Sequence, residues 1–243
     1  MPGCGDAVRA GALANRRKGV DALIVPSLLS ADFSRLEESL RAVERAGVDM
    51  VTLDVMDGHF VPNLTFGPII VSAVRKLTHL LVETHLMIEE PIRYVGEFAG
   101  AGADYITVHC EAVSDLGATL QAARDAGAKV GVAVKPETDL ARIEAVLDRV
   151  DLVLVMTVDP GFGGQPFLED MLPKIEQARN RREEAGLHYL VGVDGGINVR
   201  TAPLAAERGA DLLVAGSAVF GGNNIEEAIR RLSAAVRAVR GGT

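Results

Sequence analysis

The segment VTLDVMDGHFVPN, residues 51–63, carries three side chains capable of metal or proton chemistry: Asp54, Asp57 and His59. It begins as an apolar, β-branched run, which is typical of a buried strand. A carboxylate at the end of such a strand can bind a metal ion or remove a proton. We interpret Asp54 as a group of this kind, and we expect Asp57, Gly58 and His59 to shape the loop that follows.

Two further residues of the same chemical kind stand at other predicted strands. His85 lies in ETHLM and Asp194 in VDGGI. Carboxylates and imidazoles are the ligand types that suit Zn²⁺, Fe²⁺, Mn²⁺ or Co²⁺. Cys110 is the only thiol near the end of a predicted strand, so a site rich in thiolate ligands is excluded. Asp54, His85 and Asp194 therefore form the candidate metal set.

Glycine-rich turns follow the last three predicted strands. Glycine allows backbone N–H groups to approach an anion closely, and three such turns in adjacent loops favour a phosphate site. The residues concerned are Gly161, Gly163, Gly164, Gly195, Gly196, Gly216 and Ser217.

The elements that position these residues alternate regularly. The predicted strands are Leu23–Leu28, Met50–Val55, Leu81–Met87, Tyr105–His109, Lys129–Val134, Leu152–Thr157, Tyr189–Val193 and Leu212–Ala215. Amphipathic helices are predicted near 34–46, 68–77, 91–101, 115–126, 138–148, 170–185, 198–208 and 225–239, with Ser34, Ser114 and Asn198 as N-caps. This order predicts an α/β fold, a single (β/α)8 TIM barrel with its site at the C-terminal ends of the strands. An open doubly wound sheet would normally carry a GxGxxG or P-loop motif, and neither is present.

Composition narrows the classes of function. The chain has 243 residues, 48% apolar, with a formal net charge of −8. The acidic balance argues against nucleic acid and anionic membranes as partners, and no apolar run is long enough to span a bilayer. Two cysteines and no convincing secretory signal indicate a reducing, cytoplasmic setting. We expect residues 1–20 to be a flexible extension and residues 21–243 to form the barrel domain.

Six segments together resemble one enzyme family. PSLLSADF, LDVMDGHFVPNLTFGP, THLMIEEP, VMTVDPGFGGQPF, VDGGIN and AGSAVF look like the signature segments of the ribulose-phosphate 3-epimerases. They occur in the family's order, and the similarity runs from about residue 22 to the end of the chain. Allulose-6-phosphate 3-epimerases share most of these segments, so the pentulose and hexulose phosphates both stay open as substrates.

The resemblance implies a role for each matching residue. It implies one divalent metal ion (Zn, Fe, Mn or Co) bound by Asp54, His85 and Asp194, and it makes the two aspartates the catalytic acid–base pair. It also implies substrate contacts from Ser27, His85, Gly161, Phe162, Gly163, Gly164, Gly195, Gly196, Gly216 and Ser217. Met56, Met87 and Met156 match methionines that line the reacting centre.

The reaction that the resemblance implies has a clear physical logic. A proton is removed from C3 of a phosphorylated ketose and returned to the opposite face of an enediolate, which two carboxylates can accomplish where one cannot. The metal would stabilise the enediolate charge. The expected setting is the pentose phosphate pathway, or the Calvin cycle in a carbon-fixing organism. The family forms dimers or hexamers, so we expect a homo-oligomer.

One position departs from the family pattern. Thr52 stands where the family usually has a histidine that is the fourth metal ligand. Three outcomes are open: water takes the vacant position, His59 or His109 compensates, or the protein has lost metal and activity and is a non-catalytic phosphosugar-binding barrel. A different enzyme class, a Schiff-base aldolase with Lys135 as nucleophile, is the remaining alternative.

Overall fold

The computed structural model describes residues 22–240, which contain eight mostly buried β-strands of four to seven residues. The alternation of buried Val, Ile and Leu runs with glycine-ended helices produces these strands. They are β1 (Leu23–Pro26), β2 (Met50–Met56), β3 (Leu81–Met87), β4 (Tyr105–His109), β5 (Lys129–Val134), β6 (Leu152–Met156), β7 (Leu190–Asp194) and β8 (Leu212–Ala215).

Helices connect the strands. They are α1 (Leu36–Arg45), α2 (Pro68–Leu77), α3 (Val95–Gly100), α4 (Leu116–Asp125), α5 (Leu172–Glu184), α6 (Thr201–Glu207), α7 (Ser217–Phe220) and α8 (Ile225–Arg240). Helix α1 shows why they form: Leu40 and Val43 are buried, Glu37 and Glu38 lie in the first turn, and Arg45 lies in the last. That charge order complements the helix dipole, and the apolar stripe packs against the sheet.

The strands form one parallel sheet in the order β1-β8-β7-β6-β5-β4-β3-β2. A single isolated parallel bridge between Ser27 and Thr52 joins the two ends of this order. The sheet therefore closes into the predicted (β/α)8 barrel. We call the end where the C-termini of the strands converge the mouth of the barrel.

Two apolar cores result from the alternation of side chains along each strand. The larger core lies between the strands and the helices. The smaller core lies inside the barrel and is built from the alternate residues of the strands, such as Met50, Tyr105 and Leu154. Three polar residues share the interior with that smaller core. Thr52, Glu83 and Thr107 are each at most 1% exposed, below the mouth.

The helical connections differ from the prediction in several places, and the three largest differences are as follows. The predicted helix near 138–148 is a 3-10 helix, Leu140–Arg149, in which Leu140, Ile143 and Val146 lie on the buried face at intervals of three. The predicted helix at 91–101 is divided into a 3-10 turn, Pro91–Arg93, and α3. The short helix α7 was not predicted.

Two of the three predicted N-caps are wrong. Asp32 and Asp115 accept the capping N–H groups, while Ser34 lies inside a 3-10 turn and Ser114 donates to the Glu90 carboxylate. A carboxylate next to a serine competes for the same N–H groups and is the stronger acceptor. Asn198 is not the residue directly before α6, which is Arg200, but its Oδ1 accepts the N–H groups of residues 200 and 201 and so caps the turn that leads into the helix.

The predicted N-terminal extension, residues 1–20, lies outside the described residues. Among residues 22–240, no helix combines the length and the apolar character that crossing a membrane would require.

Candidate active site

Three ionisable side chains meet at the mouth of the barrel. Asp54 on β2 and His85 on β3 are register partners, so their side chains lie next to each other on the inner face. Asp194 ends β7, on the side of the barrel opposite β3. One ligand atom from each residue lies within 4.8 Å of the other two. The structure thus brings together the three residues predicted as metal ligands.

His85 lies between the two carboxylates. Its Nδ1 atom is 3.1 Å from Asp54 Oδ1 and 3.5 Å from Asp194 Oδ2. Burial by itself lowers the pKa of His85, but the carboxylates of Asp194 and Asp54 outweigh it and raise that pKa to about 10. Burial also raises the pKa of Asp194 above its ordinary value, although His85 acts in the opposite direction. The centre of the cluster therefore strongly favours a cation, a proton or a metal ion.

The donor set fits a divalent metal ion. Two carboxylate oxygens and one imidazole nitrogen are hard and borderline ligands, and Asp54 and His85 are almost fully buried. Catalytic sites commonly offer three protein ligands and keep a further position open. Asp54, His85 and Asp194 are the residues that would hold the ion.

Thr52 provides no ligand of comparable strength. Its side chain is buried on the same strand as Asp54, and its hydroxyl has no hydrogen-bond partner of ordinary geometry, although it lies close to the Glu83 carboxyl. Burial raises the pKa of Glu83, whose Oε1 accepts the Thr107 hydroxyl at 2.6 Å. An unpaired buried hydroxyl is unusual in a folded protein and is a natural contact for a water molecule.

The histidines that might replace a fourth ligand are placed elsewhere. His59 is exposed, and its Nδ1 faces the backbone oxygen of Asp57 at 3.0 Å. His109 faces His85 on the side away from the carboxylates, with 2.9 Å between the two Nε2 atoms. Neither belongs to the group of Asp54, His85 and Asp194, so this arrangement gives no support to the alternative in which His59 or His109 compensates for Thr52.

Asp57 shapes the loop after β2. Its Oδ1 accepts the N–H groups of His59 and Phe60, and its Oδ2 accepts the N–H of Glu89. Burial opposes the charge, but these three backbone bonds outweigh it and lower the pKa of Asp57. The expectation that Asp57 and its neighbours form the loop is confirmed.

A pocket opens above the metal group. It is lined by most of the predicted residues, namely Ser27, Asp54, Met56, Met87, Met156, Gly161, Phe162, Gly163, Gly164, Asp194, Gly195, Gly196, Gly216 and Ser217. His85 lies behind this lining at 1% exposure. The pocket thus contains a cation-binding end and a glycine-rich end within one cavity.

The glycine-rich end requires glycine for two reasons. Gly195 and Gly196 have φ values of +122° and +65°, in the region that other residues rarely adopt. A Cβ on Gly196 would also lie 2.4 Å from the backbone nitrogen of Phe167, and one on Gly195 would lie 2.6 Å from Val158 Cγ2. The backbone therefore approaches the pocket without side chains, which suits binding of an anion by N–H groups.

The apolar side of the pocket is formed by methionines. Met56 and Met87 are register partners on β2 and β3, and they form a small buried cluster with Val61. Met156 belongs to the interior core and also lines the pocket. These side chains give that side of the pocket an apolar, polarisable lining.

Several contributors to the pocket went unpredicted. Ser30 lines it beside Gly216, and Gln165 donates to the backbone oxygens of Asp159 and Phe162, which fixes the loop after β6. The second serine of SLLS, directly after β1, was the available signal for Ser30. Lys135 is not part of this lining: its Nζ lies 4.3 Å from the centre of the Phe60 ring.

Comparison with known proteins gives a consistent result. Residues 23–220 match the model of the Ribulose-phosphate 3 epimerase family. A ribulose-phosphate 3-epimerase of Bacillus subtilis is 51% identical over 210 residues, covering 86% of this chain and 97% of the relative. A chloroplastic ribulose-5-phosphate-3-epimerase of Arabidopsis thaliana is 47% identical over 232 residues, covering 95% and 83%.

Solved structures resemble the fold at low sequence identity. KGPDC from Streptococcus mutans has a TM-score of 0.69 at 18% identity and covers 90% of this chain and 99% of its own. A 3-hexulose-6-phosphate synthase from Salmonella typhimurium has a TM-score of 0.66 at 22% identity and covers 89% and 99%. These similarities show the barrel alone.

Proposed function

The chain belongs to the ribulose-phosphate 3-epimerase family and is an epimerase, and on that premise we propose that it interconverts D-ribulose 5-phosphate and D-xylulose 5-phosphate. The observation that carries this proposal is the convergence of Asp54, His85 and Asp194 at the mouth, within 4.8 Å of one another. The pocket above them has a glycine-rich end suited to the phosphate of such a substrate.

The two aspartates serve as the acid–base pair. Asp54 and Asp194 approach His85 from β2 and β7, so a substrate in the pocket has carboxylates on two sides. In each direction of the reaction one of them removes the C3 proton, and the other protonates the enediolate from the opposite face. A divalent metal ion bound by Asp54, His85 and Asp194 would polarise the neighbouring carbonyl oxygen of the ketose.

The remaining pocket residues bind and orient the sugar phosphate. The backbone N–H groups of the turns at Gly195-Gly196 and Gly216-Ser217 hold the phosphate, with the loop from Gly161 to Gly164 as the cover. Ser27, whose hydroxyl donates to Asp54, also contacts the substrate. The methionines Met56, Met87 and Met156 exclude water, which protects the enediolate from unproductive protonation.

Turnover of D-ribulose 5-phosphate tests this proposal. The purified protein is assayed after chelation and after Zn²⁺, Fe²⁺, Mn²⁺ or Co²⁺ is restored, and deuterium incorporation at C3 is followed in D₂O. We expect metal-dependent turnover, and losses of at least about 100-fold in kcat for Asp54→Asn and Asp194→Asn. The matched control is His188→Gln on the exposed surface, for which we expect no change.

A second candidate function is a barrel that binds phosphosugars without catalysis. Thr52, in place of a metal-binding histidine, is the specific observation that favours it. In that case calorimetry would detect binding of the sugar phosphate while no deuterium enters C3. A Thr52→His variant completes the comparison. Turnover in the unmodified chain means that three protein ligands suffice, and turnover in the variant alone means that the natural protein is a binder or acts on another substrate.

The choice of sugar is tested with D-allulose 6-phosphate in the same assay. A higher kcat/KM for the hexulose phosphate would make the chain an allulose-6-phosphate epimerase with the same chemistry. An aldolase acting through Lys135 would be trapped by borohydride in the presence of a sugar phosphate, and we expect no trapped adduct.

The assembly and the setting are further proposals. Leu64 and Ile69, near the start of α2, are 74% and 84% exposed, and we propose that a second copy of the chain covers them, as a dimer or hexamer requires. Light scattering on wild type and Ile69→Glu tests this, with Val199→Glu as the control. The cytoplasmic location and the choice of metal stay predictions.

A further inference from the structure

His85 is contacted on the side away from the metal group by the buried His109, which in turn faces the half-buried Glu111. His109 ends β4 and is 0% exposed. Its Nε2 lies 2.9 Å from His85 Nε2, and its Nδ1 lies 3.2 Å from Glu111 Oε2. The Glu111 carboxylate is itself fixed, because Oε1 accepts the backbone N–H of Lys135 at 2.9 Å. The epimerase mechanism above uses neither residue.

The hydrogens in this chain follow from donor and acceptor rules. Glu111 is an ionised acceptor: Oε1 accepts the backbone N–H of Lys135, and although burial raises the pKa of Glu111, its hydrogen bonds outweigh burial and lower that pKa to about 2. The hydrogen between His109 and Glu111 therefore belongs to His109 Nδ1. A neutral His109 then offers only a lone pair at Nε2.

The same donor and acceptor rule determines which nitrogen of His85 carries the hydrogen. Two imidazole nitrogens 2.9 Å apart share one hydrogen, and since His109 Nε2 is the acceptor, His85 Nε2 is the donor. His85 Nδ1 faces Asp54 and Asp194, to which it donates a hydrogen when no metal ion is bound, and a metal ion would replace that hydrogen and bind the Nδ1 lone pair. A second hydrogen on His109 would make that residue a cation next to a histidine that binds a divalent ion, which Coulomb repulsion disfavours.

We infer that His109 and Glu111 are positioning residues that hold His85 with its Nε2 protonated and its Nδ1 free to bind the metal ion. The inference rests on the proposed metal-dependent function of this site. Ligating histidines commonly donate their second N–H to an outer partner, and loss of that partner costs about 10- to 100-fold in metal affinity. Here the outer partner is a second histidine, and the carboxylate stands one residue further out.

Metal affinity of the full-length protein tests this role apart from turnover. The Zn²⁺ dissociation constant is measured by competition with a chromophoric chelator for wild type, His109→Leu, His109→Gln and Glu111→Gln. We expect His109→Leu to weaken binding about 10- to 100-fold, because His85 Nε2 loses its acceptor. The amide oxygen of His109→Gln can accept the same hydrogen, so that variant should stay within about threefold of wild type. His188→Gln, on the surface, is the control.

A merely structural role for His109 predicts a different pattern. His109→Leu would then lower the unfolding temperature while the affinity of its folded fraction for Zn²⁺ stayed at the wild-type value, and that result would overturn the inference. Equal affinity losses in the Leu and Gln variants would overturn it as well, since acceptor rescue is its central requirement.

If His109→Leu fails to fold, the inference can still be tested by determining the histidine tautomers in the unmodified protein. Long-range ¹⁵N–¹H spectra of the Zn²⁺-loaded chain should show His109 protonated at Nδ1 and His85 protonated at Nε2. The reverse assignment for either ring would refute the proposal. Failure here is distinguishable from failure of the epimerase assignment: wild type that turns over sugar phosphate while His109→Leu binds Zn²⁺ normally refutes only the positioning role.

Discussion

The Ser27 hydroxyl donates a hydrogen bond to Asp54 Oδ2 across the junction of β1 and β2. It occupies one carboxylate oxygen, so that Oδ1 is the atom turned towards His85. A ligating carboxylate whose second oxygen is hydrogen-bonded is fixed in orientation. Ser27 therefore helps to set the geometry of Asp54 as well as lining the pocket.

Removal of this hydroxyl should affect metal binding and activity together. For Ser27→Ala we expect about a 10-fold rise in the Zn²⁺ dissociation constant and a comparable fall in kcat/KM, because Asp54 loses its orientation. Competition with a chelator and the epimerase assay measure these values. Ser114→Ala on the surface is the control, and wild-type affinity in Ser27→Ala would refute the role.

The unpaired hydroxyl of Thr52 makes a prediction about stability. In chelated protein, Thr52→Val should leave the free energy of unfolding unchanged or raise it by about 1 kcal/mol, because an isosteric methyl replaces an unsatisfied polar group. Urea denaturation measures the change.

The matched control for that substitution is Thr78→Val. Thr78 is equally buried, but its hydroxyl donates to Glu44 at 2.6 Å, so we expect a loss of about 1–3 kcal/mol. Equal losses in the two variants would mean that the Thr52 hydroxyl has a partner in solution.

Two glycine substitutions distinguish the effect of steric crowding from that of backbone strain. Gly196 and Gly186 have nearly the same φ, +65° and +64°, but only at Gly196 would a Cβ collide with the backbone, at Phe167. Gly196→Ala should therefore destabilise the protein by more than Gly186→Ala, which carries only the cost of about 1 kcal/mol for a left-handed alanine. Denaturation curves and the KM for the sugar phosphate test this, and equal effects would refute the role of the collision.

Glu111 gives a pH dependence of defined sign. Its pKa is about 2 in the folded protein and near the ordinary value of 4.5 in the unfolded chain. Its stabilising contribution is therefore present above pH 4.5 and is lost as the pH falls towards 2. In chelated protein, the excess stability of wild type over Glu111→Gln should shrink across this window. A constant difference between the two proteins from pH 6 to pH 3 would contradict the lowered pKa.

The barrel and the metal group could be predicted because both follow from local patterns. Buried β-branched runs ended by glycine-capped helices define strands, and the C-terminal ends of parallel strands must converge. Asp54, His85 and Asp194 occupy such ends, so their meeting required only closure of the sheet. The family resemblance supplied the roles that convergence alone does not give.

The other features of the site could not be predicted, because they depend on the directions of individual side chains, which the spacing of residue types along the sequence does not determine. Glu111 lies beyond the end of β4, and its contact with His109 depends on the turn that brings it back over the ring. The Ser27 hydroxyl reaches Asp54 only because β1 closes against β2 at that level. Apolar residues at intervals of three, such as Leu140 and Ile143, fit an α-helix and a 3-10 helix equally well before the packing is known.

The single bridge between Ser27 and Thr52 has a consequence for the motions of the barrel. Every other neighbouring pair of strands is joined along a continuous ladder of at least three register pairs, so local opening is easiest between β1 and β2. The hydrogen bond from Ser27 to Asp54 crosses this β1–β2 junction at the pocket. We therefore expect a ligand in the pocket to reduce local opening between β1 and β2. Amide hydrogen exchange around Ser27 and Thr52 should then be slower with the ligand than without it.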